Sequence, residues 1–224
     1  MTNKIKYGVI GTGVMGQEHI QNINIIENAE VVAICDTNEN SRNQTKSLLK
    51  NSTKLYNDLN ELISKNIADA YIIATPNFTH INILEQILKT NKHLLIEKPL
   101  CTTTEDCKKF ELMSKNYSKI IWTGMEYRYM PPVKQLIKEV HNNVIGKIKM
   151  LSIREHRFPF LHKVDDWNRF AVNTGGTLVE KCCHFFDLMR LVIQSEPAKV
   201  YASGNQDVNH LEEKYDGKTP DIID

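Results

Sequence analysis

The sequence has no apolar run that approaches the roughly 20 consecutive residues needed to cross a bilayer. Nor has its charge a preferred sign: 28 basic against 27 acidic residues leave a formal net charge of +1, so composition points to neither nucleic acid nor an anionic membrane as partner. Cysteine is sparse and unpatterned. Cys35, Cys101, Cys107, Cys182 and Cys183 fall at no metal-ligand spacing, and the adjacent Cys182-Cys183 is poorly placed to bridge, so reduced thiols are expected. Cys182-Cys183-His184 finds no second ligand pair to complete a tetrahedral zinc site, and no metal is expected. The polar residues after Met1 lead straight into Ile5 to Ile10, too short an apolar region for a secretory leader and without a small-residue cleavage site; the expected location is the cytoplasm. No internal repeat or low-complexity tract is found. These absences leave a globular protein whose partners are small molecules.

What is present is a fold pattern. With 41% hydrophobic and 25% charged residues, 224 residues can bury a sizeable core. Apolar runs at Ile5 to Ile10, Val31 to Cys35, Ala70 to Ala74, His93 to Ile96 and Ile120 to Trp122, with a short one at Leu55-Tyr56, are separated by helix-length segments. That alternation predicts an α/β protein with a doubly wound parallel sheet. Asp58 is placed to cap the helix to Lys65, Thr79 the helix to Thr90, and Thr103 or Thr104 the helix through Ser118. After Gly124 the pattern changes to a helix from Pro131 to His141, a long strand from Lys147 to Phe158, an irregular stretch, a helix from Gly176 to Gln194 and another strand. The expected domains are 1–124 and 125–224.

The carboxyl ends of parallel strands share one edge, where ligands bind. Gly11-Thr12-Gly13-Val14-Met15-Gly16 follows the first strand and opens a helix read as Gln17 to Glu27. In such a fingerprint the glycines serve the tight turn, the approach of backbone to a pyrophosphate and close helix-strand packing, with phosphate at the helix N-terminus. Asp36 ends the second strand, about 20 residues beyond the last glycine, where a carboxylate binds ribose hydroxyls and repels a 2′-phosphate. This favours NAD over NADP, although Arg42 nearby could support a 2′-phosphate. Thr75-Pro76-Asn77 and Glu97-Lys98-Pro99 end two further strands. Pro99 restrains the backbone of Lys98, which suits this lysine to polarise a substrate oxygen or pass a proton.

On the helix expected from Gly176 to Gln194, Leu178, Cys182, Phe185, Met189 and Val192 form one apolar face, with Glu180, His184 and Asp187 opposite. Glu180, one turn earlier, could orient His184 as a general base, and Asp187 could join them or bond backbone and Arg190.

The fingerprint, Thr75-Pro76-Asn77 with His80, Glu97-Lys98-Pro99, and the run from Gly175 through His184 to Asp187 together resemble the glucose-fructose oxidoreductase, inositol dehydrogenase and MocA family. The resemblance implies a Rossmann domain followed by an α/β domain with a mostly antiparallel open sheet. It implies oxidation or reduction of sugars, inositols and related polyols with NAD or NADP. By the same resemblance Lys98 binds and polarises the reacting oxygen, and His184 takes the hydroxyl proton as hydride leaves. Thr75, Pro76, Asn77, His80, Glu97, Lys98 and Trp167 belong to the cofactor site, and Arg128 and Asn168 join Lys98 and His184 in the substrate pocket. Many members carry aspartate where this chain has Glu180. Similar proteins also continue beyond Pro220 to Asp224 into further strands, so the resemblance implies a C-terminally truncated chain with an incomplete second sheet, and a homo-oligomer at full length. The competing readings are a catalytically silent nucleotide-binding remnant and a reductase of an unsaturated or imine substrate.

Overall fold

Parallel strands buried on both faces read as continuous apolar runs, and the first half of the chain folds accordingly. In the computed structural model, which describes residues 4–156 and 158–223, β1 (Ile5–Ile10), β2 (Ala29–Cys35), β3 (Lys54–Tyr56), β4 (Ala70–Ile73), β5 (His93–Ile96) and β6 (Ile121–Thr123) form one sheet in the order β3-β2-β1-β4-β5-β6. Every pairing is parallel. Successive residues serve opposite faces: Val9, Ile34 and Ile72 pack with Ile20 and Ile23 of α1 (Val14–Asn24), while Ile10, Ala33, Cys35 and Ile73 pack with Leu62 of α3 (Leu59–Lys65) and Leu84 and Ile87 of α4 (His80–Ile87). Chain order reverses between β1 and β4, which opens a crevice at their carboxyl ends.

The hydrogen-bond ladder runs past the strand ends. Amides of Gly11, Asp36, Ala74, Glu97 and Gly124 donate to Cys35, Tyr56, Ile10, Ile73 and Ile96 at 2.7–3.2 Å. The residues of interest are therefore held by backbone at one edge.

Helix starts follow their caps. Asp58 accepts from Glu61 N–H and Thr103 from Asp106 N–H, opening α3 and α5 (Thr104–Ser114). α5 stops four residues short of the expected Ser118. Thr79 does not cap: its hydroxyl contacts Thr75 Oγ1 and Pro76 O within the turn that precedes α4. α1 begins at Val14, earlier than the expected Gln17, because the fingerprint itself supplies its first turn. α2 spans Glu39–Thr45, capped by Asn38.

The chain divides into two compact units, Met1–Gly124 with Lys163–Asp165, and Met125–His162 with Asp166–Asp224. The second contains α6 (Pro131–His141), with its prolines in the first turn, α7 (Ala171–Thr174), α8 (Thr177–Glu180) and α9 (Cys183–Ile193). The helix expected over Gly176–Gln194 is broken. Lys181 N–H and Cys182 N–H both donate to Thr177 O, ending α8 before α9 begins. Its face is shifted as well. His184, Leu188 and Val192 are the buried side of α9, while Leu178 is exposed and Phe185 and Met189 are only partly buried.

The strand expected from Lys147 to Phe158, of which Arg157 lies outside the described residues, does not form, and neither does the one after α9. A strand exists only through a paired neighbour, and among the described residues of this unit the only bridge joins Tyr215 to Lys218. The buried Arg169 ties the last segment down instead. Glu213 accepts from Arg169 Nε at 2.7 Å and Tyr215 Oη at 2.8 Å, and lies 2.6 Å from His210 Nδ1. Among the described residues no helix is long and apolar enough to cross a membrane.

Candidate functional site

The fingerprint loop is shaped by what its glycines lack. Gly11 has φ +88°, and a Cβ there would lie 2.5 Å from Ala74 O; a Cβ on Gly16 would lie 2.0 Å from Gly11 O. Gly13 is different: a Cβ would meet no atom within 4 Å, and as N-cap it offers no side chain to the helix amides. The N–H groups of the first turn, Val14, Met15 and Gly16, have no acceptor within the helix. They and the open space at Gly13 fit a pyrophosphate.

Thr12, fully buried, is turned the other way. Its amide donates to Asp36 Oδ2 at 2.7 Å and its hydroxyl to the same oxygen at 3.1 Å, while Asn38 N–H donates to Oδ1 at 2.8 Å. Asp36 is thereby clamped at the tip of β2: Oδ2 has both lone pairs engaged, and Oδ1 keeps one for a ribose hydroxyl. Arg42 places Nη1 on the carbonyls of Asp36 and Thr37, at 2.6 and 3.0 Å. The geometry suits an adenosine ribose without a 2′-phosphate.

Beyond β4 and β5, His80 is fully buried, with Nε2 3.1 Å from Thr75 O and Nδ1 3.0 Å from Pro99 O. It lies between the loops carrying Thr75-Pro76-Asn77 and Glu97-Lys98-Pro99 and, as a neutral imidazole, donates to one of the two carbonyls; fully enclosed, it offers no exposed atom for the direct cofactor contact expected. Burial lowers its pKa against the opposing effect of those carbonyls. Asn77 is buried behind the same loop. The Lys98–Pro99 peptide is cis. Glu97 is 8% exposed, 2.6 Å from His19 Nε2, and its Oε2 accepts from Lys98 N–H at 3.3 Å. Burial acts to raise its pKa, but His19 and Lys98 prevail and hold it below the usual glutamate value.

In the second unit His184, 2% exposed, lies with Nε2 3.4 Å from Glu126 Oε1 and its ring stacked on Tyr127, centroids 4.2 Å apart and planes 7° from parallel. Glu126, four residues before the α6 N-cap, is a carboxylate in ion-pair reach to which sequence spacing did not point. The helix breaks after Glu180, so Glu180 and His184 do not share the single continuous helix from which their pairing was expected. Lys181 donates to Tyr127 Oη and lies 3.1 Å from Glu155 Oε1, at an open hollow lined also by His156 and Phe158.

Asp187 is bonded by Arg128 through two nitrogens, Nε at 2.6 Å and Nη2, and not by Arg190, which pairs with Glu196. Arg128 thus anchors its own segment to α9. Asn168 is buried, donating to Leu161 O at 3.0 Å, and the backbone carbonyl of half-buried Trp167 accepts from Asn173 Nδ2 at 2.9 Å. Among the described residues no group of three His, Cys, Asp or Glu is arranged to hold a metal ion. Burial raises the Cys35 and Cys101 thiols to about 12, which keeps them inert.

Sequence reasoning missed His19, Glu126, Tyr127 and Lys181. His19 had one signal: it lies three residues after Gly16 on the fingerprint helix, one turn below the site. The others depend on how α9 packs, which spacing does not encode.

Comparison with known proteins follows the two halves. Residues 5–125 match an oxidoreductase family described as an NAD-binding Rossmann fold, and residues 137–221 match its C-terminal alpha/beta domain. The myo-inositol 2-dehydrogenase of Thermotoga maritima is 30% identical over 201 residues, 90% of this chain and 58% of the relative. The glucose-6-phosphate 3-dehydrogenase of Bacillus subtilis is 30% identical over 220 residues, 93% of this chain and 60% of the relative. The crystal structure of a probable dehydrogenase from Thermotoga maritima matches with a TM-score of 0.78 at 29% identity, covering 92% of this chain and 60% of that one. The chain therefore spans about 60% of the length of these relatives. With a nucleotide fingerprint at the sheet's switch point and both family regions matched in order, this chain belongs to the Gfo/Idh/MocA oxidoreductase family.

Proposed function

We propose that this chain is part of an NAD-dependent dehydrogenase that oxidises a secondary hydroxyl of an inositol, sugar or related polyol. The observation that carries the reading is the gathering of Gly11 to Gly16, Asp36 and Glu97-Lys98-Pro99 at the carboxyl edge of one parallel sheet. Two relatives of equal identity act, by name, on myo-inositol and on glucose 6-phosphate, which supports the polyol and sugar class and leaves the member of that class open.

The first turn of α1 and Asp36 would hold the dinucleotide, which supplies the hydride acceptor. Lys98 binds the substrate oxygen and stabilises its developing negative charge. His184 accepts the hydroxyl proton, while the C–H electron pair leaves the same carbon as hydride and a carbonyl forms. Glu126 and the Tyr127 ring orient His184. NAD is preferred to NADP because Asp36 would face the 2′-phosphate; a homo-oligomer is proposed from the family resemblance, and a cytoplasmic location from the sequence.

The test is NADH production by the 224-residue chain with a panel including myo-inositol and glucose 6-phosphate. At least one compound should be oxidised. Lys98→Ala and His184→Ala should each lose turnover by about 100-fold or more, with NADH affinity kept within about threefold. Binding without turnover across the panel would favour the nucleotide-binding remnant. Turnover indifferent to His184→Ala would favour reduction of an imine or unsaturated substrate.

A further inference from the structure

His19 and Glu97 are joined across the sheet edge, from the fingerprint helix to the tripeptide that carries Lys98. We propose that His19 is a positioning residue for Lys98: by holding the Glu97 carboxylate it fixes the backbone from which the lysine projects, so that the pyrophosphate helix and the lysine move as one piece. The proposal rests on the reading of Lys98 as the residue that binds the reacting oxygen.

The carboxylate of Glu97 is constrained on three sides. Oε1 is 2.6 Å from His19 Nε2, with the two side chains 19% and 11% exposed. Oε2 takes the amide N–H of Lys98 at 3.3 Å. On the third side stands Gly124, where a side chain would crowd the carboxylate: a Cβ there would lie 3.4 Å from both of its oxygens. The backbone below is fixed as well, by Glu97 N–H on Ile73 O at 2.8 Å and Gly124 N–H on Ile96 O at 2.7 Å. A buried carboxylate without a donor is costly, so the orientation in which His19 donates to it is strongly preferred. On the other side of Lys98, Pro99 O lies 3.0 Å from Nδ1 of the buried His80. The lysine thus sits between two residues that each face an imidazole, and the imidazole on the fingerprint helix connects it to the nucleotide site.

The experiment reads backbone amide exchange of Lys98 by NMR in the free 224-residue chain, without nucleotide or substrate. His19→Leu removes the donor, and His19→Gln keeps a side-chain N–H. Exchange at Lys98 should accelerate by about tenfold or more in His19→Leu and return to within about threefold of wild type in His19→Gln. The Gly11 amide, on a neighbouring strand end, should stay unchanged. If His19→Leu does not fold, His19→Ala is read in its place with the same expectation. Lys98 exchange within about twofold of wild type, equal acceleration in the leucine and glutamine variants, or equal acceleration at Gly11 would each overturn the proposal. Turnover is not consulted. Retained activity in Lys98→Ala would therefore refute the role of the lysine and leave the His19–Glu97 linkage standing, whereas an indifferent Lys98 amide would do the reverse.

Discussion

Asp36 accepts both the amide and the hydroxyl of Thr12 on a single carboxylate oxygen, at 2.7 and 3.1 Å, and so joins the tip of β2 to the fingerprint loop. The residue expected to read the ribose also holds the phosphate loop in place. Asp36→Ala should weaken NADH binding by about 1.5–3 kcal/mol, roughly 10- to 100-fold, because it removes charge-assisted hydrogen bonds. NADPH should lose less, since repulsion of the 2′-phosphate disappears while Arg42 remains nearby. Fluorescence titration with both nucleotides checks this, and an equal loss for the two would contradict the ribose assignment.

The glycines separate stability from binding. In Gly16→Ala the new methyl would lie 2.0 Å from Gly11 O, a backbone atom that cannot swing away. A loss of more than about 3 kcal/mol in urea unfolding is expected. Gly13→Ala meets nothing within 4 Å at φ −66°, so stability should stay within about 1 kcal/mol of wild type while NADH affinity falls.

Arg128 and Asp187 form a two-point pair with Asp187 mostly buried and Arg128 41% exposed. Arg128→Lys keeps the charge but not the fork, and should destabilise the second unit by about 1–2 kcal/mol. Asp187→Asn should do the same, and the double variant should be no worse than the larger single effect, a non-additivity measurable by chemical denaturation.

Strong acid should loosen the tail of the chain. Burial acts to raise the pKa of Glu213, but hydrogen bonds from His210, Tyr215 and Arg169 overcome it and lower the value from 4.5 to about 2. A depressed folded-state pKa gives stability that is present above the unfolded value and is lost as pH falls from 4.5 through about 2. Glu213→Gln should therefore be less stable than wild type near neutral pH, and the gap should close across that acid window. A gap independent of pH would show that the carboxylate charge contributes nothing.

The first unit was legible because its strands are buried on both faces and its ladder is local in register. β1 and β5 fall on the residues that hydrophobic pattern gave, and the fingerprint, Asp36 and Lys98 follow directly from where strands end. Helix starts were legible at Asp58 and Thr103, where a side chain caps, and at Thr79, which stands at the N-cap although its hydroxyl bonds the preceding turn; the start at Gly13, which has no side chain to cap with, was misplaced. The second unit was less legible for a physical reason. Alternating apolar residues between Lys147 and Phe158 specify a strand only if a partner pairs with them. The carboxylate of Glu126 reaches His184 from a segment 58 residues away in sequence, a relationship that helical spacing cannot express. His19 lay in plain view on the fingerprint helix, but its meaning depends on Glu97 across the sheet edge.

The central claim is hydride transfer from a substrate carbon at the site where Lys98 binds the oxygen. The most direct measurement incubates the 224-residue chain with NAD and a panel of carbon-deuterated inositols and hexoses, and reads deuterium in the recovered NADH by mass spectrometry. One deuterium per NADH is expected from at least one compound, with none above background in Lys98→Ala although that variant still binds NADH. Tight NADH binding with no deuterium transferred from any compound, or transfer undiminished in Lys98→Ala, would contradict the account.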